Sequence, residues 1–121
     1  MADHNLLGEA GEQYAADYLA ANGYVIKHRN WRWQKAELDI IALKDNVIVF
    51  VEVKTRHKNS PERPQDAVTR KKQRLIIKAA DAYITFFDLN FEARFDIISV
   101  IVTNKGTEIE HIDDAFIPLL K

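Results

Sequence analysis

Asp39, Glu52 and Lys54 stand where an apolar hairpin should be driest. In AELDIIALKDNVIVFVEVK, residues 36–54, two runs rich in Ile and Val flank a short turn. Asp39 lies inside the first run, and Glu52 and Lys54 close the second. Side chains alternate across a strand, so Glu52 and Lys54 face the same way. Whether Asp39 joins them depends on the turn. Asp45 and Asn46 both tolerate positive φ, which suits a two-residue hairpin turn. Lys44 then pairs with Val47, Asp39 falls opposite Glu52, and Glu37 falls opposite Lys54. A four-residue loop with the same centre gives the same pairing, whereas a three-residue loop puts the two carboxylates on opposite faces.

In the first register the two acids have Cβ atoms about 5 Å apart, an arrangement that costs stability unless positive charge lies between them. Lys54 serves in part. Mg2+ or Mn2+ serves better, because hard carboxylate oxygens suit these ions and water and phosphate complete the shell. The same spacing also reads as two ordinary strand-end acids facing solvent, with Lys54 as their salt-bridge partner. Two further residues bear on the choice. Glu12 sits beside Gly11 and one turn from Gly8 on an expected helix, where small residues allow a close approach to the sheet. Lys72 falls on the apolar stripe of a second helix, aimed at the same acidic point.

The elements that must position these groups follow from periodicity and punctuation. Leu7, Gly11, Tyr14, Ala15, Tyr18 and Leu19 predict a helix over 5–22, stopped by Asn22-Gly23. Residues 24–33 read as extended, with Trp31 and Trp33 on one face and Arg32 on the other. Strands are expected at 36–43 and 46–54, then a loop over 57–65, HKNSPERPQ. A long helix over 67–86 carries Val68, Leu75, Ile76, Ala79, Tyr83 and Phe87 as its apolar stripe. Residues 93–103 form a third clear strand, NKG (104–106) a turn, and TEIEHI an edge strand with exposed acids. The tail DDAFIPLLK packs through Phe116, Ile117 and Leu119. The order is α-β-β-β-α-β-β, an α/β mixed sheet flanked by helices.

A chain of 121 residues fits a single domain, 1–121, with one core. The absence of cysteine excludes disulfides and a thiolate zinc site, and is compatible with a reducing cytoplasm. MADHNLLGEAGEQ lacks the basic start and apolar run of a signal peptide, and no apolar segment is long enough to span a bilayer. The net charge of −1 hides an asymmetry. Lys54, Arg56, Lys58, Arg63, Arg70, Lys71, Lys72 and Arg74 stand against only Glu62 and Asp66, while acids dominate from Asp88 to Asp114. Such polarity suits a localised anionic partner; a solvated helix face with salt bridges is the alternative. His4, His28, His57 and His111 show no metal-ligand spacing and read as surface residues. Asp96 reads as a structural partner of Arg94.

Asp39 followed after a turn by Glu52-Val53-Lys54 resembles the D…(D/E)-x-K core of the PD-(D/E)xK nucleases, which share the restriction-endonuclease-like fold. The likeness covers nearly the whole chain. Gly8, Gly11-Glu12, Ala15, Tyr18-Leu19 and Gly23-Tyr24 resemble the opening helix of the YraN-like family of small bacterial proteins. So do Arg29-Asn30-Trp31-Arg32, Glu37-Leu38-Asp39-Ile40-Ile41, Val49 to Arg56, Lys72-Gln73 and Arg94-Phe95-Asp96. The chain departs from that family at Ala36, where Gly is usual, at Asn59-Ser60-Pro61, which replaces an aromatic-Gly pair, and at Leu38, which takes the place of the proline of "PD".

The resemblance implies a metal-dependent endonuclease related to archaeal Holliday-junction resolvases, acting on DNA. Asp39 and Glu52 would hold Mg2+ or Mn2+ with the main-chain carbonyl of Val53. Lys54 would position the attacking water and steady charge developing on phosphorus. Glu12 would be a further acidic ligand or would orient Lys54. Arg29, Arg32, Arg56, Lys58, Arg70, Lys71 and Lys72 would meet backbone phosphates. Trp31 and Trp33 would stack on an unpaired base or cover a core edge. A homodimer would suit an enzyme that cuts two strands. The rivals are a nucleic-acid-binding module that does not cut and a protein-interaction adaptor whose acids form salt bridges.

Overall fold

The computed structural model describes residues 2–59, 61 and 68–116. The elements are α1 (Ala2–Ala21), β1 (Val25–Trp33), β2 (Ala36–Lys44), β3 (Val47–His57), α2 (Arg70–Phe86), β4 (Glu92–Thr103) and β5 (Gly106–Ile112). They follow the expected α-β-β-β-α-β-β order. The five strands form one sheet in the order β1-β2-β3-β4-β5. β3 and β4 run parallel, joined through α2, and the other neighbours are antiparallel. Among the described residues no helix is long and apolar enough to cross a membrane.

β3 lies at the centre and is covered on both sides, which explains its unbroken apolar run. Val49 and Val51 pack with Ala15 and Leu19 of α1, Ile40 of β2 and Ile98 of β4. Ile48 and Phe50 face the other way, with Ile76, Ala79 and Tyr83 of α2. Each helix thus closes one face of the sheet over its own apolar core.

Most boundaries move by a few residues, for local reasons. α1 begins at Ala2 and stops where Gly23 takes φ 89° and the Asn22 side chain donates to the Tyr18 carbonyl. α2 starts at Arg70 rather than 67, because Thr69 is its N-cap and accepts from the Lys72 N–H at 3.2 Å. β3 runs on to His57 because β4 pairs with it that far. Leu75 does not belong to the buried stripe: it is 40% exposed, and the inner face of α2 is Ile76, Ala79, Ala80 and Tyr83. Phe116 is buried and stacks on Phe95, whereas Ile117 and Leu119 lie outside the described residues.

Two histidines expected at the surface are built into the interior instead. His28 bonds the Tyr83 hydroxyl at 2.7 Å. His111 joins Tyr18 at 2.9 Å to Asp96 at 2.7 Å. Asp96 is fully buried, as suits a structural residue, and takes two bonds from Arg94 and one from the Asp114 N–H. Burial pushes its carboxyl up, but His111, Arg94 and that N–H outweigh burial and hold it below its ordinary value. This network ties β5 and α1 to β4.

Gly11 sets the distance between α1 and the sheet. A Cβ there would collide with the Thr55 hydroxyl on β3. Gly8, by contrast, has open space around it. Gly11→Ala should therefore cost about 1–3 kcal/mol in urea unfolding, the usual penalty of overpacking. Gly8→Ala should be neutral or stabilise by up to about 1 kcal/mol through helix propensity. Equal effects at the two positions would show that α1 does not seat on Thr55.

Candidate functional site

The hairpin turn takes the two-residue form. Asp45 and Asn46 have φ of 52° and 65°, both in the left-handed region, and Lys44 pairs with Val47. The ladder between β2 and β3 then runs as far as Ile40 opposite Val51. Asp39 and Glu52 occupy the next position, where regular pairing ends. The alternation of β2 breaks there too: Leu38 faces the α2 core and Ile40 the α1 core, although two residues apart on a strand should share a face. On β1, Asn30 takes φ 54° between the pairs Arg29–Ile40 and Trp31–Leu38, so the irregularity crosses both strands beside Asp39.

Asp39 closes the gap that this break leaves. Its Oδ2 accepts the Val53 N–H at 2.9 Å, in place of a main-chain carbonyl. Glu52 is 4% exposed, and its Oε2 has no hydrogen-bond partner. Its Oε1 lies 3.7 Å from the Lys72 ammonium, reached across from α2. The expectation for Lys72 thus holds in its aim, although the side chain is about half exposed along its length. Lys54 points to the same face as Glu52 but is exposed, and the ion pair of Glu52 is with Lys72 rather than Lys54.

The electrostatics follow from burial and crowding. Burial, then the charge of Asp39, pushes the Glu52 carboxyl up to about 8, against Lys72 and the Asp39 backbone N–H. Burial raises Asp39 to about 6; the Val53 N–H and Lys72 oppose the rise, and Glu12 and Glu37 add to it. Glu12 is raised by burial as well, with Asn30 and Arg29 pulling it back. Glu12 on α1 therefore feeds the same acidic field as Asp39 and Glu52. Among the described residues no three His, Cys, Asp or Glu side chains gather into a metal-binding cluster, so the centre is a carboxylate pair.

The chain matches the Uncharacterised protein family UPF0102 over residues 11–100. It is 52% identical over 120 residues to a UPF0102 protein of Bacteroides fragilis, covering 99% of each chain. A UPF0102 protein of Bacteroides thetaiotaomicron is 49% identical, again over 99% of both. One from Flavobacterium psychrophilum is 48% identical over 116 residues, 96% of this chain and 98% of that one. The chain belongs to this family. UPF0102, the YraN family of the resemblance above, is part of the restriction-endonuclease-like superfamily. The matched span takes in Glu12, Asp39, Glu52, Lys54 and Lys72.

In this UPF0102 chain the cationic side chains divide into two groups. Arg29 is half-buried and donates to Gln13 at 2.8 Å, with its Nε buried and unbonded. Arg56 has a side chain only 14% exposed, paired with Glu110 at 3.7 Å. Arg32 is exposed and lies 3.6 Å from Glu37. Lys58, Arg70 and Lys71 are exposed, the last two on the first turn of α2. Asn30 and Glu37 are not among the expected site residues, yet both act on the acids, Asn30 on Glu12 and Glu37 on Asp39. Only a left-handed Asn inside a strand would have flagged the former.

The donor set fits a hard divalent cation. Glu52 Oε2 is a buried carboxyl oxygen without a hydrogen-bond partner, next to a second acid. A strand residue turns its N–H and C=O toward the same neighbour, so the Val53 carbonyl lies on the edge where its N–H meets Asp39. Without such a cation the acids carry a pH signature. Their folded-state pKa values exceed the ordinary 3.8 and 4.5, so the folded protein holds protons that the unfolded chain has released. Their contribution to stability is fully present at acid pH and is lost as pH rises from the ordinary carboxylate range to about 8. With chelator present, Glu52→Gln should stabilise the protein above that pH by about 1–3 kcal/mol and do little near its acid end. A pH-independent effect in urea titrations would mean that Glu52 is ionised throughout.

Proposed function

We propose that this UPF0102 protein is a metal-dependent endonuclease that hydrolyses DNA phosphodiester bonds, with a preference for branched or junction DNA drawn from the family resemblance. The observation that carries the reading is the bare, buried Glu52 oxygen beside Asp39. A buried carboxyl with an unbonded oxygen is costly, and such groups concentrate where a site must hold charge. The Lys72 ammonium 3.7 Å from Glu52 Oε1 supports the reading in that positive charge is already drawn to this carboxyl.

Asp39 and Glu52, with the Val53 carbonyl, would hold Mg2+ or Mn2+. Bound there, the ion would polarise the phosphate and lower the pKa of water. Lys54, exposed on the face that Glu52 occupies, orients the water and steadies charge on phosphorus. Glu12 tunes the field of Asp39 from α1. Lys58, Arg70 and Lys71 meet the DNA backbone, and Lys72 can meet it from its place at the acids. The cytoplasm is the compartment that suits a cysteine-free DNA enzyme, and a two-fold dimer would let it cut both strands.

A module that binds without cutting draws on the same basic surface. Mn2+ titration separates the two readings. For the nuclease, Mn2+ should raise the melting temperature and cleave supercoiled and junction DNA. Both effects should fall to background in Asp39→Ala and Glu52→Ala, while salt-sensitive DNA retention persists. Retention without cleavage at any Mn2+ concentration would leave the binding module.

A further inference from the structure

Both tryptophans of the chain line one groove of about 610 Å³. Trp31 and Trp33 come from β1, and Lys78, Asp81, Ala82, Thr85 and Phe86 come from α2, so the groove holds one cation and one carboxylate beside its rings. The inner edge of the groove is fixed. Trp31 meets Tyr83 edge-on at 5.1 Å between ring centres, and both indoles pack against the α2 core. The outer edge is open, for Phe86 is 75% exposed, more than any other large apolar side chain described.

The helix leads into the groove along a single ridge. Arg70, Arg74, Lys78, Ala82 and Phe86 are spaced four apart, a row that turns about 40° around the axis at each step and so winds from Arg70 on the far side of the helix to Lys78 and Phe86 at the groove. Successive members are about 6 Å apart along the axis. The three cations are exposed. Lys72, which reaches Glu52, points to the sheet side of the same helix, and Lys78 lies about 9 Å further along the axis. On the strand side, Trp31 pairs with Leu38, the neighbour of Asp39. The groove and the acid pair therefore share one sheet face and one helix.

Exposed cations that lead toward two half-buried indoles and one exposed phenyl ring suit a phosphate backbone whose bases are unstacked. A second copy of the chain fits poorly, since a two-fold contact would set the cation ridge against itself. The geometry points to single-stranded DNA as the occupant: the Trp31/Trp33/Phe86 groove takes an unpaired base, and the phosphates lie along Arg70, Arg74 and Lys78. This rests on the nucleic-acid part of the proposed function and names its substrate class, DNA with an unpaired segment beside the scissile bond.

Because the groove holds both tryptophans, their emission reports it directly. The protein is titrated in chelator with a short oligothymidylate and with an abasic phosphodiester strand of equal length. The thymidylate should quench the emission, and the abasic strand should bind without quenching. Phe86→Ala, at an exposed position, should weaken thymidylate binding about tenfold and leave the abasic strand unaffected. Arg74→Glu should weaken both. Identical responses to the two strands would overturn the base pocket, as would emission that follows protein concentration alone, the mark of a second copy. Base-dependent quenching in a protein that never cuts would remove the hydrolysis reading and keep the groove; cutting without such quenching would do the reverse.

Discussion

The site depends on the place where β2 and β3 stop pairing. Their ladder ends at Ile40 and Val51, and the next N–H, that of Val53, needs an acceptor that the diverging strand no longer supplies. The Asp39 carboxylate fills that need at 2.9 Å. One acid is thereby fixed by the backbone of the strand that carries the other. Asp39 is a structural stitch and a candidate site residue at once, and the strand break and the acid pair are a single feature.

The rest of the molecule supports that feature from both faces. α1 reaches the sheet at Gly11 against Thr55, which brings Glu12 near enough to raise Asp39. α2 is set by its Thr69 cap and brings Lys72 to Glu52. A comparison within the protein shows what distinguishes the site. Asp96 and Glu52 are both buried acids. Asp96 has Arg94, His111 and a main-chain N–H around it and is driven down. Glu52 has one ammonium at 3.7 Å and one bare oxygen, and is driven up. Burial acts the same way on both, so the difference lies in the partners each is given. A fold able to satisfy Asp96 so fully leaves Glu52 unsatisfied at the end of the central hairpin.

Much of this was legible in the residues because it rests on local rules. Asp45-Asn46 dictates a two-residue turn, the turn dictates the register, and the register carries the ladder to Ile40 and Val51, one step short of Asp39 and Glu52. Gly11 and Lys72 were legible as a close approach and an inward-aimed cation. What sequence could not give depends on contacts between distant segments. Arg56 reads as a phosphate contact until Glu110, on a strand two places away in the sheet, pairs with it. His28 and His111 read as surface residues until Tyr83 and Asp96 close over them. Lys54 follows Glu52 at strand spacing and looks like its counter-charge, yet the helix supplies Lys72 instead. Asn30 gave no sign of its left-handed turn, because a strand-like run of His, Arg and Trp surrounds it.

The sorting of the cations also fixes how an anion would approach. Arg29 and Arg56 are committed to Gln13 and Glu110, and Arg32 to Glu37. The exposed positive charge then concentrates on α2, whose first turn holds Arg70, Lys71 and Lys72 and no acid. A helix N-terminus already carries partial positive charge, so this arrangement works against the helix dipole and lowers the stability of α2 on its own. It persists because the opposite charge comes from elsewhere. Glu52 supplies part of it from the sheet, through Lys72. The other two cations of that turn, Arg70 and Lys71, face solvent and are left without an acid on their own helix turn.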